Sequence, residues 1–354
     1  MDIVVLNIAH SRFRDREKIA EFLQLVESNQ FNVTYVALAA VKKPSPKTFV
    51  HQGTVDYLKH VCAELRPKYI VCSIALQARI QRNLEKALCV DFVDRTELLL
   101  SLFEKRATSR AGQLQVELAR LSYMQTKLVR GWTHLERQRG GIGLRGGPGE
   151  TQIEVDRRIL RDNIHKIKVK LDKVVQTRQL NRKRRRDDQV FAMALVGYTN
   201  AGKSSLFNQL THAKTWANDQ LFATLDPLVR SMTLPDCSEK ILLIDTVGFM
   251  RDLPEALVTA FRSTLEEILY CDLIVHVIDC GDHEMADKIA SVESTLEIIG
   301  AQDIHRVNVF NKHDLNPAFH SRSAVASCVV SSLQKQSLHA FYELIKPLIK
   351  DKRS

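Results

Sequence analysis

The sequence predicts a mixed α/β protein in three parts, on three observations. Short apolar runs alternate with helical periodicity over 1–104. Two long proline-free helical stretches flank a glycine-rich segment over 105–188. Strand–loop–helix alternation returns over 189–354. The expected architecture is a small parallel-sheet α/β domain at 1–104, a long antiparallel helical hairpin at 105–188 with its tip at 140–149, and a doubly wound α/β domain at 189–354.

In the first part, IVVLNI (Ile3–Ile8), Phe31–Ala39 and YIVCS (Tyr69–Ser73) read as buried strands. Helical periodicity runs over Arg14–Glu27 and Val55–Leu65. Strands alternating with helices imply a mostly parallel sheet. No acid/base or metal-ligating constellation stands out there, so this part alone suggests no activity.

In the middle part, Leu114, Leu118, Leu121 and Leu128 recur at the spacing of a paired-helix seam, as do Leu160, Ile164, Ile167, Leu171 and Val174. The segment between them, GGIGLRGGPG (Gly140–Gly149), holds six of the 14 glycines and forms the tip. The chain carries 51 Lys+Arg against 41 Asp+Glu, a net charge of +10. Thirteen of the cations and only two acids lie between Arg157 and Arg186, so the whole surplus belongs to one helix. A solvated helix face is the plain reading of a basic run. Its coincidence with a hairpin and a glycine tip favours contact with RNA or DNA.

Composition narrows the class. At 45% hydrophobic and 26% charged the chain is an ordinary globular one, which excludes fibrous and wholly disordered readings. No apolar run approaches the roughly 20 residues of a membrane span, and the first residues lack the pattern of a secretory leader. Seven scattered cysteines without a C-x-x-C pair fit reduced thiols, and a cytoplasmic location is expected.

The third part carries the chemistry. Buried strands are expected at Val190–Gly197, Lys240–Gly248, Asp272–Asp279, Arg306–Lys312 and Ala326–Ser332. The first runs into Gly197, Tyr198, Thr199, Asn200, Ala201, Gly202, Lys203 and Ser204, which is G-x-x-x-x-G-K-[ST]. Such a loop turns its backbone N–H groups into one phosphate-sized concavity. Lys203 reaches the outer phosphates, the Ser204 hydroxyl ligates Mg2+, and the helix opening near Ser205 presents its positive end. Asp245, Thr246, Val247 and Gly248 close a strand as D-x-x-G: Asp245 holds Mg2+ through water and the Gly248 amide senses the γ-phosphate. Asn311, Lys312 and Asp314 form N-K-x-D. Asp314 accepts from guanine N1–H and its exocyclic amine, which adenine cannot match. Asn311 ties this loop back to the phosphate loop. Phe222, Ala223 and Thr224, in FATLDP, lie where a switch threonine reaches Mg2+. In this order, each at the end of a strand, the motifs mark a GTPase, with Lys203, Thr224 and Gly248 as its catalytic groups. Ser331, Ser332 and Leu333 follow the last strand and complete the base site. The residue after Gly248 is Phe249, where Ras-like enzymes place a water-orienting glutamine, so slow intrinsic hydrolysis is expected.

With these residues in hand, the chain closely resembles the HflX family of ribosome-associated GTPases. The resemblance rests on DRTELLLSLFEKRATSRAGQLQVELARL (94–121), GGIGLRGGPGETQIEVDRR (140–158), VGYTNAGKSSLFNQLT (196–211), LFATLDP (221–227) and DTVGFMRDLPEALVTAFRSTLEE (245–267), and covers nearly the whole chain. It implies an N-terminal α/β domain, a helical hairpin and a TRAFAC-type G domain. It further implies binding to the large (50S) ribosomal subunit, splitting of 70S ribosomes under stress, and a hairpin tip near the peptidyl-transferase centre. Ribosomal RNA would then meet Arg145, Arg157, Arg158, Arg161, Lys166 and Lys170. Asn200 matches a K+ ligand of related GTPases. A monomer is expected, since one continuous hairpin needs no partner subunit.

Three departures from the family pattern stand out. His51, Gln52 and Thr54 replace a glycine and two lysines, so the resemblance leaves open whether the N-terminal domain binds ATP as some relatives do. The base loop is Ser331-Ser332-Leu333-Gln334-Lys335-Gln336, without the usual Ser-Ala start. The sequence ends at Ser354, without the C-terminal extension of some members. An assembly GTPase of the large subunit would use the same motifs. An RNA-binding protein with a purely structural nucleotide site is a further rival. An ATP-driven RNA remodeller is disfavoured by the N-K-x-D residues.

Overall fold

The computed structural model describes residues 2–9, 16–138, 152–187, 190–212, 221–222, 224–235, 240–251, 254, 257, 259–261, 265–321 and 323–351. The chain forms two compact units, 1–105 with 116–169, and 106–115 with 170–354.

The first unit begins with β1 (Asp2–Ala9), α1 (Arg16–Ser28), β2 (Asn32–Ala40), α2 (Gln52–Leu65), β3 (Tyr69–Cys72), α3 (Ala78–Leu88), β4 (Asp91–Val93) and α4 (Arg95–Arg106). The sheet order is β2-β1-β3-β4, with every pair parallel. Ile3, Val4, Val5 and Leu6 of β1 are wholly buried, on both faces of the strand. A continuous apolar run is what a parallel strand covered on both sides requires. Helix α4 starts on a reciprocal cap: Asp94 Oδ1 accepts Glu97 N–H at 3.0 Å, and Glu97 Oε2 accepts Asp94 N–H at 3.4 Å.

Two long helices follow, α5 (Arg110–Gln138) and α6 (Gln152–Asp187). Leu114, Leu118, Ile167 and Leu171 of the expected seam are buried, while Leu121, Leu128, Leu160, Ile164 and Val174 are half-buried. Met124 and Leu128 of α5 line one cavity with Ile159 and Leu160 of α6. Within the first unit α5 is anchored by Asp94, whose Oδ2 accepts from Tyr123 Oη at 2.7 Å and Lys127 Nζ at 2.9 Å. The expected tip at 140–149 lies outside the described residues.

The second unit continues with β5 (Phe191–Val196), α7 (Lys203–Thr211), β6 (Leu228–Thr233), β7 (Lys240–Asp245), β8 (Leu273–Asp279), α8 (Met285–Ile299), β9 (Arg306–Asn311), β10 (Ser327–Val329) and α9 (Leu338–Asp351). Its six-stranded sheet runs β10-β9-β8-β5-β7-β6. All neighbours are parallel except β6 against β7. The antiparallel edge strand β6 is an addition to the strands read from sequence. Leu195, Phe207, Val275, Val309 and Phe341 pack one face, and Val196, Ile244, Ile274, Val292 and Leu296 pack the other. Chain order reverses beside β5, which pairs β7 on one side and β8 on the other. An α/β sheet offers its ligand crevice at such a point, at the strands' C-terminal ends.

Candidate functional site

The loop between β5 and α7 takes its shape from two glycines. Gly197 (φ 153°) passes so close to β8 that a Cβ there would lie 2.2 Å from Val277 O. Gly202 (φ 89°) leaves room for Asn311, whose Nδ2 would be 2.2 Å from an added Cβ. Asn200 also takes a positive φ of 63° and is exposed. Tyr198, Thr199 and Ala201 are buried, so their backbones rather than their side chains face the crevice.

Lys203 is 6% exposed. Its Nζ donates to Gly197 O at 3.0 Å and Tyr198 O at 2.8 Å, which holds it inside the loop. Burial lowers its pKa to about 8, while the Asp245 carboxylate opposes that shift. An anion with several charges would restore the lysine's usual affinity for a proton.

Beside it three oxygens converge. Ser204 Oγ donates to Asp245 Oδ2 at 2.8 Å, Thr224 Oγ1 donates to the same atom at 2.9 Å, and the two hydroxyls lie 2.8 Å apart. Asp245 ends β7 and is wholly buried, and its Oδ1 has no hydrogen-bond partner among the described residues. Burial raises its pKa, against the lowering effects of Lys203, Ser204 and Thr224. A buried carboxylate with one bare oxygen and two adjacent hydroxyls is a hard-oxygen donor set, which fits Mg2+.

The segment after Asp245 is fastened to the phosphate loop. Thr246 Oγ1 donates to Leu195 O at 2.6 Å. Thr199 N–H donates to Phe249 O at 2.7 Å, and Phe249 N–H donates to Gly197 O at 3.1 Å. An added Cβ on Gly248 would lie 2.8 Å from Thr199 Cγ2 and 3.1 Å from Lys203 Nζ, so only glycine brings its backbone this near. Val247 is buried, and Phe249, 2% exposed, packs among Val196, Tyr198, Ile244 and Ile268. The ring after Gly248 therefore faces the core.

The base-side residues form a second network. Asn311 Nδ2 donates to Ala201 O at 3.0 Å, and its Oδ1 accepts Ser332 N–H at 2.9 Å. One amide thus joins the phosphate loop to the loop after β10. Lys312 pairs with Asp279 at 2.7 Å. Asp314 Oδ1 accepts from Ser331 Oγ at 2.5 Å, and Leu333 N–H donates to the same hydroxyl at 3.3 Å. Leu333 itself is 75% exposed.

Other expected residues lie apart from this cluster. Phe222 is buried at φ 54°, and Ala223 is outside the described residues. On α6, Arg158, Arg161, Lys166 and Lys170 are exposed, Arg157 is half-buried, and Arg145 is outside the described residues. Two contributors had no sequence signal. Arg251 N–H donates to Tyr198 Oη at 3.0 Å while its guanidinium pairs with Glu284 at 2.7 Å. Asp226 accepts a set of hydrogen bonds from the start of α5.

Three family models match the chain in succession. One described as GTP-binding GTPase N-terminal covers 16–104, one described as GTP-binding GTPase Middle Region covers 106–185, and one described as 50S ribosome-binding GTPase covers 192–312. The chain is 49% identical over 294 residues to GTPase HflX of Magnetococcus marinus, covering 83% of this chain and 68% of that protein. It is 44% identical over 319 residues to GTPase HflX of Escherichia coli, covering 90% of this chain and 74% of that one. The crystal structure of SsGBP in complex with GDP superposes over 99% of both chains with a TM-score of 0.53 at 23% identity, a likeness of fold.

Proposed function

Because the chain belongs to the HflX family of GTP hydrolases, we propose that it is a GTP-driven switch that binds the 50S ribosomal subunit and dissociates 70S ribosomes under stress in the cytoplasm. GTP favours the ribosome-bound form and hydrolysis releases it. The observation that carries this reading is the convergence of Ser204, Thr224 and Asp245 beside Lys203. Thr224 of the expected switch segment reaches the oxygen cluster that would hold the metal, and in this reading that contact follows the bound nucleotide. The description of the matched G-domain model and the exposed cations of α6 support the ribosomal partner.

In this reading the backbone of 197–204 cradles the phosphates, and Lys203 neutralises the outer ones. The Gly248 N–H faces the γ-phosphate. Asp314, oriented by Ser331, accepts from guanine, and Asn311 holds the two loops in register. Ser204 and Thr224 would ligate Mg2+, and Asp245 would hold it through water. Bound Mg2+ supplies charge neutralisation of the phosphate oxygens. A water attacks the γ-phosphorus, the bond to the bridging oxygen breaks, and GDP and phosphate leave. Phe249 supplies no hydrogen bond to that water, so a group from the ribosome or elsewhere in the chain orients it. Asn200, with its exposed side chain, is the proposed K+ ligand.

The test is GTP hydrolysis with and without 50S subunits, paired with sedimentation of 70S ribosomes. Stimulation by 50S and conversion of 70S to subunits with GTP or a non-hydrolysable analogue are expected. No stimulation would overturn the mechanism. A preference for immature 50S particles would point instead to an assembly role.

A further inference from the structure

The switch segment does not end at the metal cluster. Leu225, next to Thr224, is buried, and the residue after it, Asp226, turns its carboxylate onto the start of α5. Asp226 Oδ2 accepts Thr108 N–H at 3.0 Å, Thr108 Oγ1 at 3.1 Å and Ser109 N–H at 2.6 Å. Its Oδ1 accepts a short hydrogen bond from Ser109 Oγ. Ser109 is at the same time the cap of α5, since its Oγ accepts Gly112 N–H at 2.9 Å. The carboxylate thus sits where a helix N-terminus favours negative charge. Gly112 makes the approach possible: an added Cβ would lie 2.2 Å from Asp226 Oδ1 and 3.1 Å from its Cγ.

We propose that Asp226 is a positioning residue for Thr224, tying the switch segment to the root of the helical hairpin so that completion of the Ser204–Thr224–Asp245 cluster depends on the first turn of α5. The proposal rests on the reading of that cluster as the Mg2+ site of a GTPase. Two residues of chain span at most about 7 Å, so fixing Asp226 leaves Thr224 little freedom to withdraw from Ser204. The link works in both directions, as any coupling between sites must. Nucleotide that holds Thr224 in place steadies the cap of α5, and a partner that pulls on α5 loosens Thr224.

The test uses the full chain in three forms: Asp226→Asn, which removes the charge and one acceptor; Gly112→Ala, which pushes the carboxylate away without altering any residue of the nucleotide site; and the two together. Affinity for a fluorescent GDP, the Mg2+ concentration for half-maximal GTP hydrolysis and the single-turnover rate are measured. GDP has no γ-phosphate to recruit the switch threonine, so its affinity should stay within about twofold, which also shows that each variant is folded. The half-saturating Mg2+ should rise fivefold or more, and the hydrolysis rate should fall about tenfold. Both single variants should show this, and the double variant should be no worse than either. Alanine is a better helix former than glycine, so a merely structural role predicts the opposite for Gly112→Ala: a firmer helix and normal hydrolysis. Unchanged Mg2+ dependence in both variants, or losses that add, would overturn the proposal. A wild-type chain whose GTP hydrolysis ignores Mg2+ would instead overturn the underlying reading of the cluster, and the proposal with it.

Discussion

Ser331 and Asp314 are joined by a 2.5 Å hydrogen bond between hydroxyl and carboxylate, and this orients the carboxylate that we propose selects the base. The serine occupies the first position of a loop that otherwise departs from the family pattern, yet it holds Asp314 from outside the N-K-x-D run. Asp314→Asn would replace the proposed acceptor of two guanine hydrogen bonds with a group that also donates. Charge-assisted bonds contribute about 1.5–3 kcal/mol each, so GDP affinity is expected to fall by about a hundredfold or more. Xanthosine diphosphate, with a carbonyl where guanine has its amine, should gain on GDP in a competition assay. Ser331→Ala should weaken GDP by only about fivefold without changing base preference. An unchanged preference in Asp314→Asn would remove Asp314 from the base site.

Phe249 offers a second test, because its position invites a repair that the packing forbids. Restoring the glutamine of Ras-like enzymes with Phe249→Gln would place a polar side chain in an apolar cluster, since the ring is buried among Val196, Tyr198 and Ile244. Truncating such a ring costs about 3–5 kcal/mol, and burying an amide adds to it. The variant is expected to unfold at lower denaturant concentration and to hydrolyse GTP no faster alone. A stable variant with accelerated intrinsic hydrolysis would show that the side chain can swing into the site.

The site was legible where its residues are contiguous. The candidate residues of Gly197–Ser204, Asp245–Gly248 and Asn311–Asp314 each fall in a short run at the end of a buried strand, and the strands β5, β7, β8 and β9 stood out as apolar runs. The edge strand β6 did not, because LVRSMT alternates weakly and four of its six residues are exposed. Strand β4 has three residues, too few for any periodicity to show. The reciprocal cap Asp94–Glu97 occupies a D-x-x-E run that marks a helix start and no chemistry. The contacts of Asp226 with Thr108 and Ser109 span 118 and 117 residues, and no local pattern encodes such a pairing. The inward turn of Phe249 was equally hidden. Its identity said what it cannot do, and only packing says where it points.

The basic helix makes a quantitative prediction about the ribosomal partner. Lys166 and Lys170 are exposed on α6, four residues apart and so on one face. If they meet phosphates, Lys166→Gln with Lys170→Gln should lower the slope of log affinity for 50S subunits against log salt by roughly two. Stability should stay within about 0.5 kcal/mol of the parent, since neither side chain is packed. An unchanged slope would assign these lysines to solvent and move the interface elsewhere on the chain.

His276 is expected to make the G-domain unit sensitive to acid. It lies on the central strand β8, 1% exposed, and its Nδ1 has no hydrogen-bond partner among the described residues. Burial lowers its pKa to about 3, and the charges of Arg306 and Lys203 push the same way. In the unfolded chain the group returns to about 6.5. Between those values the unfolded state takes up a proton that the folded state refuses. Stability contributed by the neutral ring is therefore complete above pH 6.5 and is lost as the pH falls, by up to about 1.4 kcal/mol per pH unit. His276→Leu removes the titration and leaves the apolar surroundings satisfied. Its unfolding free energy, measured by denaturant at pH 7, 6 and 5, should decline less steeply than that of the parent. The gap between the two should widen by about 1.2 kcal/mol from pH 6 to pH 5. Parallel curves over that range would mean that the ring finds a proton-accepting partner in the folded chain, and that the acid sensitivity of the fold lies with its carboxylates.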